Sequence, residues 1–135
     1  MAVLTPSVIG GRAEMAVASA LHRAGRRVFI PLFDAQSRVD LVVDGTDGLV
    51  RVQVKTSLLR GGSIVFRTCS NTANAPLDYR GDVDAFGVFS PELCLVYLVP
   101  VDEVALRRGY LRVDPPRNGQ GLGIRWAVDY LIGPP

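Results

Sequence analysis

The residues that could do chemistry in this chain are Glu14, Asp40, Gln53 and Lys55. Gln53 and Lys55 sit in Leu49-Val50-Arg51-Val52-Gln53-Val54-Lys55, whose strict alternation is that of a strand. Val50, Val52 and Val54 fall on one face, and Arg51, Gln53 and Lys55 on the other. Asp40 lies thirteen residues before Gln53, in Val39-Asp40-Leu41-Val42-Val43-Asp44, which also reads as a strand. Thr46-Asp47-Gly48 fits a hairpin turn between the two. Antiparallel neighbours bring side chains within about 5 Å. A carboxylate, an amide and an ammonium can therefore converge on one point.

Glu14 is the fourth member. On a helix it shares a stripe with Val17 and Leu21. A carboxylate in line with core residues is an exception that calls for a partner. Gly10 and Gly11, one turn earlier, remove side-chain bulk beside it.

These residue types suit phosphodiester hydrolysis. The phosphodiester repels an attacking hydroxide, and its uncatalysed cleavage is among the slowest reactions known. A divalent cation neutralises that charge and acidifies water. Magnesium takes oxygen ligands, commonly one or two carboxylates with substrate and water. Asp40 offers a carboxylate, Gln53 an amide oxygen and Val54 a backbone carbonyl. Lys55 can donate to the scissile phosphate or orient the attacking water. Glu14 can hold a second metal or a water beside the first. The plainer alternative makes Gln53 and Lys55 a solvated strand face and Glu14 an ion-pair partner for Arg12 or Arg51.

The surrounding elements must hold these groups in place. Thr5-Pro6 is a helix start. Ile9, Ala13, Ala16, Val17, Ala20, Leu21 and Ala24 then share a helical face, and Gly25 is placed to end it. The valine face of the central strand is expected to bury against this helix. Arg27 to Pro31 and Ser63 to Arg67 read as strands, with a turn from Leu58 to Gly62. Thr68 to Arg80 is polar and turn-rich, so a loop is expected. Asp82 to Phe89 and Leu93 to Val99 read as strands, Val101 to Arg108 as a short helix and Tyr110 to Val113 as a strand. Asp114 to Gly123 reads as an irregular loop, and Ile124 to Leu131 as a last packed element. The order of elements predicts a single α/β domain with a central mixed β-sheet flanked by helices.

With 135 residues, the chain can bury a core without disulfide or structural metal. Cys69 and Cys94 lack zinc-like spacing, and His22 stands alone near the predicted helix end, where a cation suits the dipole. Met1 to Pro6 has no signal-peptide pattern, so the cytosol is the expected compartment. The net charge of +2 does not by itself imply nucleic acid. Within the 15 basic residues, however, Lys55 is the single lysine. A chain that otherwise uses arginine keeps a compact ammonium at this position, which suggests a need for it.

Asp40, then Gln53-Val54-Lys55, preceded by a helical Glu14, resembles the PD-(D/E)XK nuclease signature. The glutamine variant is similar to the branch of group I intron-encoded homing endonucleases. The helix-then-hairpin order is also similar to Holliday-junction resolvases. Tyr79…Asp84-Ala85-Phe86, Leu95 to Val101 and Asn118-Gly119-Gln120…Ile124…Ala127…Tyr130 resemble the intron-endonuclease branch as well, so the likeness covers most of the chain. Arg38-Val39 stands where the family name expects proline before the aspartate. Gln53 replaces the usual acid and leaves one less negative charge for a metal.

The resemblance implies a restriction-endonuclease-like fold and a magnesium-dependent endonuclease acting on double-stranded DNA, with manganese able to substitute. It implies Glu14, Asp40, Gln53 and Lys55 as catalytic residues, with metal ligands among Asp40, Gln53, Val54 and Glu14. A homodimer or dimer of dimers is expected. Arg38, Arg51, Ser57, Arg60 and Arg67 are the candidate DNA-contacting residues, while Arg23, Arg26, Arg27 and Arg117 suit plain surface charge as well as DNA. Asp82 and Asp84 read more simply as turn or solvated residues than as metal ligands. Two rival functions remain open: a structure-specific junction or repair nuclease, and a nuclease-fold DNA-binding module without activity.

Overall fold

The computed structural model describes residues 3–34, 37–72, 75–119 and 121–133. Helix α1 (Pro6–Arg23) begins where the side chain of Thr5 accepts the Val8 N–H at 3.3 Å. It ends at Ala24, before Gly25 with φ +83°. His22 is exposed in its last turn. Strand β1 (Val28–Phe29) is short, and β2 (Leu41–Gly45) and β3 (Gly48–Thr56) form a hairpin. Its turn is the two-residue connection Thr46-Asp47, closed by the Gly45–Gly48 pair. Gly48 has φ +131°, and a Cβ on Gly45 would lie 2.9 Å from the Gly48 carbonyl, so this turn requires both glycines.

Strand β8 (Ala85–Ser90) runs parallel to β3, and β9 (Leu95–Pro100) returns antiparallel beside it. The five-stranded mixed sheet is ordered β1-β2-β3-β8-β9. Helix α1 covers one face, where Ala13, Val17 and Leu21 pack with Leu41, Val43, Val52 and Val54. The helix approaches closely at Gly87, where an added Cβ would meet Val17 at 2.7 Å.

Among the described residues, no second α-helix covers the opposite face. That role falls to a three-stranded sheet, β10-β5-β4, built from β4 (Leu58–Arg60), β5 (Ser63–Arg67) and β10 (Arg108–Arg112). Ile64, Phe66 and Leu111 from this sheet join Phe86, Val88, Tyr97 and Val99 in the second core. The expectation of flanking helices is corrected, among the described residues, to one α-helix and one small sheet.

Other expectations also shift. Residues 68–80 hold a hairpin, β6 (Cys69–Thr72) with β7 (Ala75–Asp78), rather than a loop throughout. Its register is a backbone ladder with no apolar alternation to announce it. The expected helix over Val101 to Arg108 shrinks to a 3₁₀ turn at Val101–Glu103, because Val104 is extended (φ −125°, ψ 156°). The expected turn at Leu58 opens with a short strand, and the last element is a 3₁₀ turn at Ala127–Tyr130. Asp82 and Asp84 precede β8 rather than belonging to it. Gln120 lies outside the described residues.

Candidate active site

Asp40 stands one residue ahead of β2. Its N–H donates to the Val52 carbonyl at 2.9 Å, one position out of the β2–β3 register, which pairs Val52 with Leu41. The paired register ends at Leu41–Val52, and Asp40 lies just beyond it. The Val54 N–H donates to Asp40 Oδ2 at 2.8 Å, which fixes the carboxylate beside β3. Gln53 and Lys55 project from the face of β3 opposite Val52 and Val54, as the alternation requires. Gln53 Nε2 makes a long 3.4 Å contact to the Val54 carbonyl. Gln53 Oε1 is buried and, among the described residues, accepts no hydrogen bond. A buried carbonyl oxygen without a donor is costly in a folded protein.

Glu14 is exposed, unlike the buried position its stripe suggested. Ala13 and Val17 take the core positions, and Glu14 lies at the edge of the helix face. There it lines a cleft of about 560 Å³ together with Gly10, Gly11, Ile30, Asp34 and Asp40. Nothing would lie within 4 Å of a Cβ on Gly10 or Gly11, so the two glycines leave the cleft open on the helix side. Burial, with the Glu14 charge assisting, raises the Asp40 carboxyl to about 6; the Val54 N–H and Lys55 oppose the rise. Asp40 therefore feels the charges of both Glu14 and Lys55. None of them forms an ion pair among the described residues. Glu14 is thus not the partner of Arg12 or Arg51.

Lys55 Nζ donates to the Tyr79 hydroxyl at 3.0 Å. Tyr79 falls in the segment expected to be a loop, and no spacing rule links it to the strand. Only its place in the family resemblance marked it.

The candidate DNA-contacting residues divide. Arg38 lies over the Tyr79 ring at 3.7 Å from the centroid. It donates to the Asp82 carboxylate at 2.7 Å, to the Leu77 carbonyl at 3.0 Å, and to the Asp78 carbonyl and Ser70 hydroxyl. Arg51 is held by Asp84 through Nε and Nη2, both at 3.1 Å. Asp82 and Asp84 are therefore arginine partners. Ser57 is fully buried, with its hydroxyl donating to the Phe89 carbonyl. Arg60 and Arg67 are exposed and line a groove of about 380 Å³ with Arg108, which sequence reasoning did not single out. Arg108 pairs in register with Arg67 across β10 and β5. Only this pairing, invisible without the strand register, could have drawn notice to Arg108.

Among the described residues, no group of three or more His, Cys, Asp or Glu side chains could hold a metal. A metal here would need the mixed donor set of a carboxylate, an amide oxygen and a carbonyl. The orphaned Gln53 Oε1, one residue before the Val54 N–H that binds the Asp40 carboxylate, fits such a hard-oxygen set.

The mixed sheet with a helix on one face, and Asp40 leading into a hairpin whose second strand carries Gln53 and Lys55, define a restriction-endonuclease-like domain. The family description PD-(D/E)XK endonuclease matches residues 5–132, and the chain belongs to that family. Its structure is similar to that of a bacterial homing endonuclease, I-Ssp6803I, with 25% sequence identity and a TM-score of 0.67. The similarity covers 96% of this chain and 88% of that one. No curated protein gives a significant match.

Proposed function

We propose that this endonuclease cleaves double-stranded DNA with magnesium as its cofactor, in the manner of a homing or restriction enzyme. The observation that carries the reading is the Asp40 carboxylate, bonded to the N–H of Val54, the residue next to Gln53 with its unsatisfied Oε1, and lining one cleft with Glu14. Asp40, Gln53 Oε1 and the Val54 carbonyl would hold the ion. When bound, it supplies charge neutralisation at the phosphate and a more acidic water. Glu14, exposed in the cleft, orients the attacking water or holds a second ion. Lys55 donates to the scissile phosphate. Arg60 and Arg67 reach the DNA backbone, where cationic contacts set affinity and its salt dependence. Arg38 and Arg51 act more through the placement of their strands than through DNA. One small domain spans only part of a specific site, so a dimer, or a dimer of dimers, brings a second centre to the other strand.

Conversion of supercoiled plasmid to nicked and linear forms tests this. Cleavage is expected with magnesium or manganese and is expected to stop with chelator. Cleavage that persists unchanged in chelator would remove the metal from the reading. A strong preference for a four-way junction over linear duplex would move the enzyme to the structure-specific class.

A further inference from the structure

We infer that Tyr79 is a positioning residue that holds the Lys55 ammonium in its working orientation; this rests on the nuclease reading above. Lysine carries its charge on a flexible four-carbon stem, so an unrestrained ammonium samples many positions. Among the described residues, the Tyr79 hydroxyl is the side-chain hydrogen-bond partner of Lys55, at 3.0 Å. The ammonium also lies 4.5 Å from the centre of the Tyr79 ring. That partner is itself immobilised. Tyr79 is only 5% exposed, and Phe86 meets its ring edge-on with centroids 5.6 Å apart. Arg38 stacks at 3.7 Å from the ring centre and is tied to the Asp82 carboxylate. The Tyr79 carbonyl accepts the N–H groups of Asp82 and Val83, both at 3.0 Å.

A phenol is well matched to this task. A carboxylate in its place would neutralise the ammonium and compete with a phosphate for it. A neutral hydroxyl accepts one N–H and leaves the positive charge, and the remaining N–H groups, for the substrate. The stacked Arg38 adds a second cation to the ring, so the ring face offers electrostatic compensation without taking a negative charge into the site.

Tyr79→Phe isolates the claim, because it keeps the ring, its contact with Phe86 and the Arg38 stack, and removes only the hydroxyl. Under saturating DNA and magnesium, the plasmid-cleavage rate is expected to fall about tenfold to a hundredfold, the worth of one hydrogen bond to a charged group. DNA affinity measured in chelator is expected to hold within about twofold, since the contact adds no affinity of its own. In a Lys55→Ala background, Tyr79→Phe is expected to change the rate no further. Because Lys55 is the single lysine, protein labelled with ¹⁵N-lysine reports one side-chain ammonium. Its resonance is expected to shift in Tyr79→Phe and not in Tyr110→Phe, an exposed tyrosine on β10.

The spectroscopic arm separates the two readings. A wild type that never cuts DNA, together with a lysine resonance that shifts in Tyr79→Phe, would sink the nuclease reading and leave the contact standing. A wild type that cuts, with Tyr79→Phe at full rate and an unmoved lysine resonance, would overturn the positioning role alone.

Discussion

Two regions built on the same strands treat charge in opposite ways. Around Arg38 and Arg51, every cation has a carboxylate: Asp82 meets Arg38 at 2.7 Å and Asp84 meets Arg51 at 3.1 Å. Two residues further along the chain from each arginine, Asp40 and Gln53 are left differently. Asp40 and Lys55 have no ion pair among the described residues, and Gln53 Oε1 has no donor. Saturated pairs fix strand positions and the β6–β7 hairpin. Unsaturated groups keep their bonding capacity for a ligand. The contrast teaches that pairing, rather than the density of charge, separates scaffold from site here.

The largest effect expected from breaking this contrast is at Lys55. Lys55→Ala is expected to lower the plasmid-cleavage rate by about a thousandfold, as removal of a charge-stabilising donor does elsewhere. Its melting temperature is expected to stay close to that of the wild type. Full cleavage by a folded Lys55→Ala protein would erase the distinction between the two regions.

Arg38→Ala should behave in the reverse sense. It removes a stack and several hydrogen bonds from a side chain only 23% exposed. The expected cost is about 2 kcal/mol of unfolding free energy in a urea titration. Magnesium binding, measured by calorimetry, is expected to change little. A large loss of metal binding with unchanged stability would place Arg38 on the other side of the comparison.

The smallest effect sharpens the site's own energetics. The Asp40 carboxyl is raised from 3.8 to about 6, with burial the leading cause. In the folded chain it therefore binds its proton more tightly than in the unfolded chain. Stability from this group is greatest below about pH 4 and falls as pH rises toward 6. Asp40→Asn removes that loss. In chelator at pH 8 it is expected to be more stable than the wild type by about 1 kcal/mol, after discounting for partial exposure. Cleavage is expected to vanish in the same variant. A less stable Asp40→Asn protein at pH 8 would mean the carboxylate is a net contributor to the fold.

Much of this was legible in the sequence because alternation and turn chemistry are local. Val52 and Val54 against Gln53 and Lys55, and the Gly45–Gly48 turn, are properties of one short segment. Asp40 followed once that hairpin was drawn. Glu14 was found as a residue but misjudged in burial, because a stripe is wide and its edge differs from its centre. The β6–β7 hairpin escaped because its ladder is backbone bonding with side chains that do not alternate. Arg38 helps hold it through the Leu77 and Asp78 carbonyls, a contact across about forty residues that no local pattern encodes. Tyr79 was hidden for the same reason, since its meaning depends on what lies against its ring.

The parallel pairing of β3 with β8 has a consequence for how the chain acquires its shape. Val52 meets Ala85, so the intervening segment must be synthesised and folded back before β3 gains its second neighbour. Until then β3 is an open edge bearing valines, the kind of surface that invites intermolecular strand addition. Closure over such a separation is slow relative to hairpin formation. The β2–β3 hairpin is therefore expected to form before β8 docks, which leaves β3 an exposed edge during folding.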